Sequence, residues 1–119
     1  MNFKVGPHRD DSELIETKPI VSISLGCSAI FLIESKPFQS TEVSKPIPVL
    51  LNSGDVIIMK DESRLALHSV PVTLRDSCML TEDILPPDAG DSDRFVLKYL
   101  KQGRININTR QVEDENHKL

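Results

Sequence analysis

The run Ile20-Val21-Ser22-Ile23-Ser24-Leu25, interrupted by Gly26 and followed by Ser28-Ala29-Ile30-Phe31-Leu32-Ile33, decides the fold class. Its first half partly alternates apolar with polar residues and its second is a continuous apolar run, so both read as strands, neighbours in one sheet. Downstream, Glu34 to Pro48 carries three prolines among Ser, Lys and Thr, which is loop chemistry. Pro48-Val49-Leu50-Leu51, Asn52-Ser53-Gly54-Asp55 and Val56-Ile57-Ile58-Met59 then spell a strand, a tight turn and a strand. Leu65 to Val70 and Val72 to Leu74 are short β segments divided by Pro71, which cannot donate to a ladder and suits a bulge or an edge. The acidic stretch Thr81 to Asp93, with Pro86-Pro87 and Gly90, reads as a surface excursion. Ser92 is placed to cap a helix through Phe95, Leu97, Tyr99 and Leu100, with Lys98 and Lys101 near its end and Gly103 as the stop. A strand from Arg104 to Val112 follows, and the residues after it read as a frayed polar tail. Many short strands and one late helix, without a βαβ rhythm, predict a mainly β fold, a sandwich or jelly-roll barrel.

At 119 residues, 39% hydrophobic and 27% charged, the chain predicts one globular domain, near the size at which burial becomes marginal. No apolar run approaches the ~20 residues of a spanning helix, and Met1 to Gly6 lacks the layout of a signal peptide. Cys27 and Cys78 form no CxxC pair and read as free thiols in a reducing compartment. With a net charge of −4, the chain has no overall pull on phosphate backbones. Nucleic-acid contact therefore requires local basic groups or additional sequence.

His8-Arg9-Asp10 sets two ligand-type side chains at i and i+2, on one face of an extended segment. By itself this reads as a surface or capping pair, and His68 beside Leu67 and Val70 reads as a structural histidine. In the last strand Arg104, Asn106, Asn108 and Arg110 share one face while Ile105 and Ile107 share the other. That polar face suits solvent or a ligand. The two arginines lie about 20 Å apart along the strand, and their forked side chains can lean inward around a short dicarboxylic acid. Taken together, His8, Asp10 and His68 make a two-histidine, one-carboxylate triad of the kind that holds non-haem Fe(II) with open positions for a 2-oxo acid and dioxygen.

Gly6-Pro7-His8-Arg9-Asp10-Asp11-Ser12-Glu13-Leu14, Lys18 to Phe31, Ser53-Gly54-Asp55, Ser63-Arg64-Leu65, His68-Ser69-Val70-Pro71 and Arg104 to Val112 together resemble the AlkB family, in the branch of its first mammalian homologue. The last run is similar to the family's Arg-x-Asn-x-Thr-x-Arg signature, with Asn108 standing where Thr is usual. The resemblance implies a double-stranded β-helix (jelly-roll) core over residues 1–112, incomplete at its N-terminus, and a polar tail over 113–119. It also implies an Fe(II)- and 2-oxoglutarate-dependent dioxygenase that uses O2 to demethylate N-alkylated bases of DNA or RNA. His8, Asp10 and His68 would be the metal ligands, and Arg104, Asn106 and Arg110 would bind 2-oxoglutarate. Ser12 and Glu13 stand where family members shape the base pocket. The nucleic acid would be gripped through elements N-terminal to this sequence, in the nucleus or mitochondrion. A related hydroxylase of proteins or small molecules, and a non-catalytic relic, are the alternatives.

Overall fold

In the computed structural model, which describes residues 4–12 and 15–112, the apolar runs form seven strands and one α-helix. These are β1 (Val5–His8), β2 (Ile20–Gly26), β3 (Ala29–Glu34), β4 (Pro46–Leu51), β5 (Val56–Met59), β6 (His68–Thr73), α1 (Asp91–Gln102) and β7 (Arg104–Arg110). They build two antiparallel sheets in jelly-roll fashion, one ordered β1-β6-β3-β4 and the other β5-β2-β7. Ile20 and Met59 from one sheet meet Phe31 and Leu51 from the other, with Ile33, Ile57 and Val70 packed around them. Each fully buried side chain of this size contributes about 1.5–3 kcal/mol. No helix among the described residues is long and apolar enough to cross a membrane, and Cys27 and Cys78 are both free.

The two strands that decide the fold class are not neighbours, contrary to the expectation from sequence: β2 belongs to the three-stranded sheet and β3 to the four-stranded one. The cause lies in Gly26. Its φ of +90° turns the chain out of the first sheet, and a Cβ there would lie 2.4 Å from the carbonyl oxygen of Gly103. The Cys27 N–H donates to that same oxygen at 2.8 Å, and the Ser28 N–H donates to Ser77 Oγ at 2.7 Å. The polar groups of the crossing are thus satisfied outside the ladders. β4 and β5 also part into different sheets, across the turn at Asn52 to Asp55.

β6 begins at His68, not at Leu65. The residues before it continue the 3-10 turn Asp61–Ser63, with Arg64 N–H on Asp61 O and Ala66 N–H on Ser63 O, both at 3.1 Å. Pro71 lies within a single strand, at a bulge: Ile30 pairs with Val72 and Leu32 with Ser69, so Val70 and Pro71 together oppose Phe31. A residue without an N–H costs nothing where the ladder already opens.

The helix starts at Asp91, one residue before the expected cap. Gly90 is the N-cap and its N–H donates to Asp93 Oδ2 at 2.9 Å, which leaves Ser92 inside the first turn. Asp91 and Asp93 at the start and Lys101 at the end suit the helix dipole. Leu97 is the buried residue of α1, while Phe95 is 69% exposed.

β7 pairs with β2 in the register Ile20↔Arg110, Ser22↔Asn108, Ser24↔Asn106 and Gly26↔Arg104. Directly opposed residues share a face. Ile20 is in the core, so the row Arg104, Asn106, Asn108, Arg110 lies on the face turned toward the other sheet, with both arginines partly buried and the two asparagines between them still open to solvent.

Candidate metal and co-substrate site

His8 ends β1 and pairs across the ladder with His68, which begins β6. Their ring centroids are 4.3 Å apart. Asp10 follows just past the end of β1 and brings its carboxylate between them, 3.8 Å from His8 Nε2 and 3.5 Å from His68 Nε2. One potential ligand atom from each of the three falls within 4.8 Å of the others. The opposite ring nitrogens are also held, His8 Nδ1 to Gly6 O at 2.8 Å and His68 Nδ1 to Ala66 O at 2.9 Å. A carbonyl oxygen only accepts, so Nδ1 carries the proton in each ring and Nε2 offers its lone pair toward Asp10. Two imidazole nitrogens and a carboxylate oxygen, aimed at one point from ordered segments, suit a non-haem Fe(II) ion.

The inward face of β7 extends away from this cluster. Arg110 Nη1 lies 3.4 Å from Asp10 Oδ1, at the cluster's edge. Farther along, Asn108 Oδ1 accepts from Asn106 Nδ2 at 2.7 Å, and Asn106 Oδ1 accepts from Ser22 Oγ at 2.8 Å and from Arg104 Nη2 at 3.3 Å. Arg104 Nη2 also donates to Ser24 Oγ at 2.9 Å. Arg104 Nε is buried without a hydrogen-bond partner, and burial lowers the guanidinium pKa below its ordinary value. Among the described residues no carboxylate neutralises it. A desolvated guanidinium with an idle N–H suits a carboxylate ligand, which would supply both the charge and the acceptor. Triad, Arg104, Asn106 and Asn108 line one cavity of about 120 Å³, floored by Ile20, Phe31, Leu51 and Met59.

Every residue singled out from the sequence as ligand or co-substrate contact therefore converges on this region. Ser12 is exposed just beyond Asp10 and does not line the cavity. Glu13 lies outside the described residues. The sequence reading missed Ser22 and Ser24, whose two-residue spacing opposite the β7 row was the available signal. It also missed Arg9, Glu34 and Arg64, whose partners are remote in the chain and leave no local signal.

The family model for the 2OG-Fe(II) oxygenase superfamily matches residues 1–110. The chain is 39% identical to the DNA N(6)-methyladenine demethylase ALKBH1A of Arabidopsis thaliana, over 91% of this chain and 30% of that protein. It is 33% identical to the nucleic acid dioxygenase ALKBH1 of Homo sapiens, over 100% and 34%, and 35% identical to the tRNA demethylase abh1 of Schizosaccharomyces pombe, over 88% and 31%. The chain thus spans about a third of the length of these three relatives. A solved structure, that of OsALKBH1, superposes with a TM-score of 0.60 at 28% identity, covering 91% of this chain and 44% of that one.

Proposed function

The chain belongs to the 2OG-Fe(II) oxygenase superfamily, and from that premise we propose that it is the metal- and co-substrate-binding part of an enzyme that demethylates N-alkylated bases in DNA or RNA, tRNA included. The observation that carries this reading is the convergence of His8, Asp10, His68 and the uncompensated Arg104 on one cavity. The family's groups are Fe(II), 2-oxoglutarate as co-substrate and O2. Bound iron supplies oxygen activation coupled to decarboxylation of 2-oxoglutarate to succinate and CO2, which leaves a hydroxyl on the N-alkyl carbon, lost with that carbon as formaldehyde.

The residues of the chain bind and orient. His8 and His68 present Nε2 because their Nδ1 protons are committed to Gly6 and Ala66, and Asp10 completes the donor set. Arg104 takes the far carboxylate of 2-oxoglutarate through its idle Nε edge, held in place by Ser24 and Asn106. Asn106 and Arg110 steady the end near the metal.

The substrate side rests on the relatives named above, which are described as acting on DNA, RNA or tRNA. A base in a duplex has to leave the stack to reach the iron. Ser12 and Glu13 are candidates for contact with the base only through the family resemblance, and with a net charge of −4 here the phosphate grip needs local basic groups or additional sequence. Residues 1–112 are the working domain and 113–119 a polar tail, in the nucleus or mitochondrion. Succinate formation measured with methylated and with unmethylated oligonucleotides tests this function. Stimulation by the methylated oligonucleotide alone is the expected result. Succinate formed equally with both would point instead to a protein or small-molecule substrate.

A further inference from the structure

Asp10 lies beyond the end of β1, past the His8↔His68 pair, so no strand ladder fixes the carboxylate of the triad. The segment leading into His68 is likewise a turn, tied to a strand by backbone only where the Glu34 N–H meets Leu67 O. Two arginines bridge these segments in opposite directions. Arg64, 2% exposed, donates from Nη1 to the carbonyl of Asp10 and from Nε to the carbonyl of Lys18, both at 2.7 Å. Arg9, whose side chain leaves the strand on the face away from His8 and Asp10, donates from Nη1 to the carbonyl of Leu65 at 2.5 Å. Each arginine thus grips the carbonyl of the residue next to the other.

Glu34, at the end of β3, closes the frame. It takes Arg9 in a two-pronged ion pair, through Nη1 and, at 3.2 Å, through Nη2. Its Oε1 accepts from the Leu67 N–H at 2.8 Å and its own N–H donates to Leu67 O at 2.9 Å. Phe38 covers the Arg9 guanidinium, 4.7 Å from its ring centroid. Consecutive carbonyls therefore have separate tasks: Leu65 O receives Arg9, and Ala66 O receives the Nδ1 proton that sets the His68 tautomer.

We propose that Arg9 and Arg64, with Glu34, are positioning residues: a reciprocal brace that locks the His8–Asp10 segment to the turn before His68 and so sets the aim of all three metal-binding side chains. This rests on the metal-site reading above. Releasing Arg9 frees the Leu65–Ala66 backbone, and the carbonyl that orients His68 moves with it. A general packing role would alter stability alone, whereas the brace alters the geometry and strength of metal binding in a folded protein. Groups that orient metal ligands are worth about 10- to 100-fold in metal affinity.

The test uses the 119-residue chain with Co(II) alone as probe, since its visible spectrum reports ligand geometry. Affinity comes from calorimetry and folding from circular dichroism. Arg9→Ala is expected to keep the β-sheet spectrum, bind Co(II) about 10- to 100-fold more weakly and shift the visible bands. Arg9→Lys recovers one contact to Glu34 but not the fork, and falls between. Glu34→Gln produces the same shift in smaller measure, and carries the test if Arg9→Ala does not fold. Parent affinity and parent bands in the folded variant overturn the brace and leave the triad standing. A parent chain that does not bind Co(II), or a His68→Ala variant that binds it like the parent, overturns the metal-site reading itself.

Discussion

Replacing Arg104 with Lys separates the geometry of the guanidinium from its charge. Nη2 is already engaged with Ser24 and, at the longer 3.3 Å, with Asn106, and Nε is idle, so a carboxylate approaching the Nε edge can receive the Nε–H and a parallel Nη2–H by displacing the Asn106 contact while Ser24 keeps its own. A lysine ammonium has its three donors at one point and cannot present two parallel N–H groups to the carboxylate while also serving Ser24. At least one charge-assisted hydrogen bond is lost, at a cost of about 1.5–3 kcal/mol. At about 1.36 kcal/mol per tenfold, 2-oxoglutarate should bind about 10- to 150-fold more weakly, and Arg104→Ala should bind it more weakly still. Calorimetry with Mn(II) in place of Fe(II) measures this without turnover. Thermal melts give an independent reading, because ligand at about 100 times the parent Kd adds about 2.7 kcal/mol of stability, and a hundredfold weaker variant retains only about 0.4 kcal/mol. Both variants binding 2-oxoglutarate with the parent's affinity would refute the assignment of the β7 polar row to the co-substrate.

His68→Ala should abolish Mn(II) binding, and calorimetry showing parent affinity would remove the triad. Gly26→Ala introduces a Cβ 2.4 Å from a backbone oxygen at a φ of +90°, so denaturant unfolding should show a loss of about 1–3 kcal/mol or more, and an unchanged midpoint would contradict the crossing described here. The Glu34 carboxyl is held below its ordinary pKa of 4.5, chiefly by its hydrogen bond from Arg9 and also by the Leu67 N–H. A depressed folded pKa means stability that is present above about 4.5 and lost as pH falls through the lower folded value. The stability gap between parent and Glu34→Gln should therefore be open at pH 7 and close in acid, and a gap unchanged down to about pH 3 would sink that account.

The strands were legible in the sequence because side-chain alternation and apolar runs are local, and so was the polar row of β7. What β7 faces was not local: it took the Ile20↔Arg110 register to put Arg104 and Arg110 on the side of the other sheet, where both are partly buried. Partner choice was hidden for the same reason. Ile20 to Leu25 and Ala29 to Ile33 look like a hairpin pair because nothing in their patterns says that Gly26 sends the second into another sheet. His8, Asp10 and His68 were found by residue type and by resemblance to a known family. Arg9, Glu34 and Arg64 look like ordinary charged residues, and their meaning lies in backbone carbonyls that a sequence does not display.

The pairing of Ile20 with Arg110 and of His8 with His68 also determines when the site comes into being. During synthesis His8 and Asp10 precede the turn near residue 65 on which their aim depends, and the polar row of β7 is made only when Arg104 to Arg110 has followed. Distant pairings of this kind place folding in roughly the millisecond-to-second range, not the microseconds of helical bundles. The metal-ligand cluster therefore waits only for β1 to pair with β6 within one sheet, whereas the cavity that Arg104 lines waits for the second sheet.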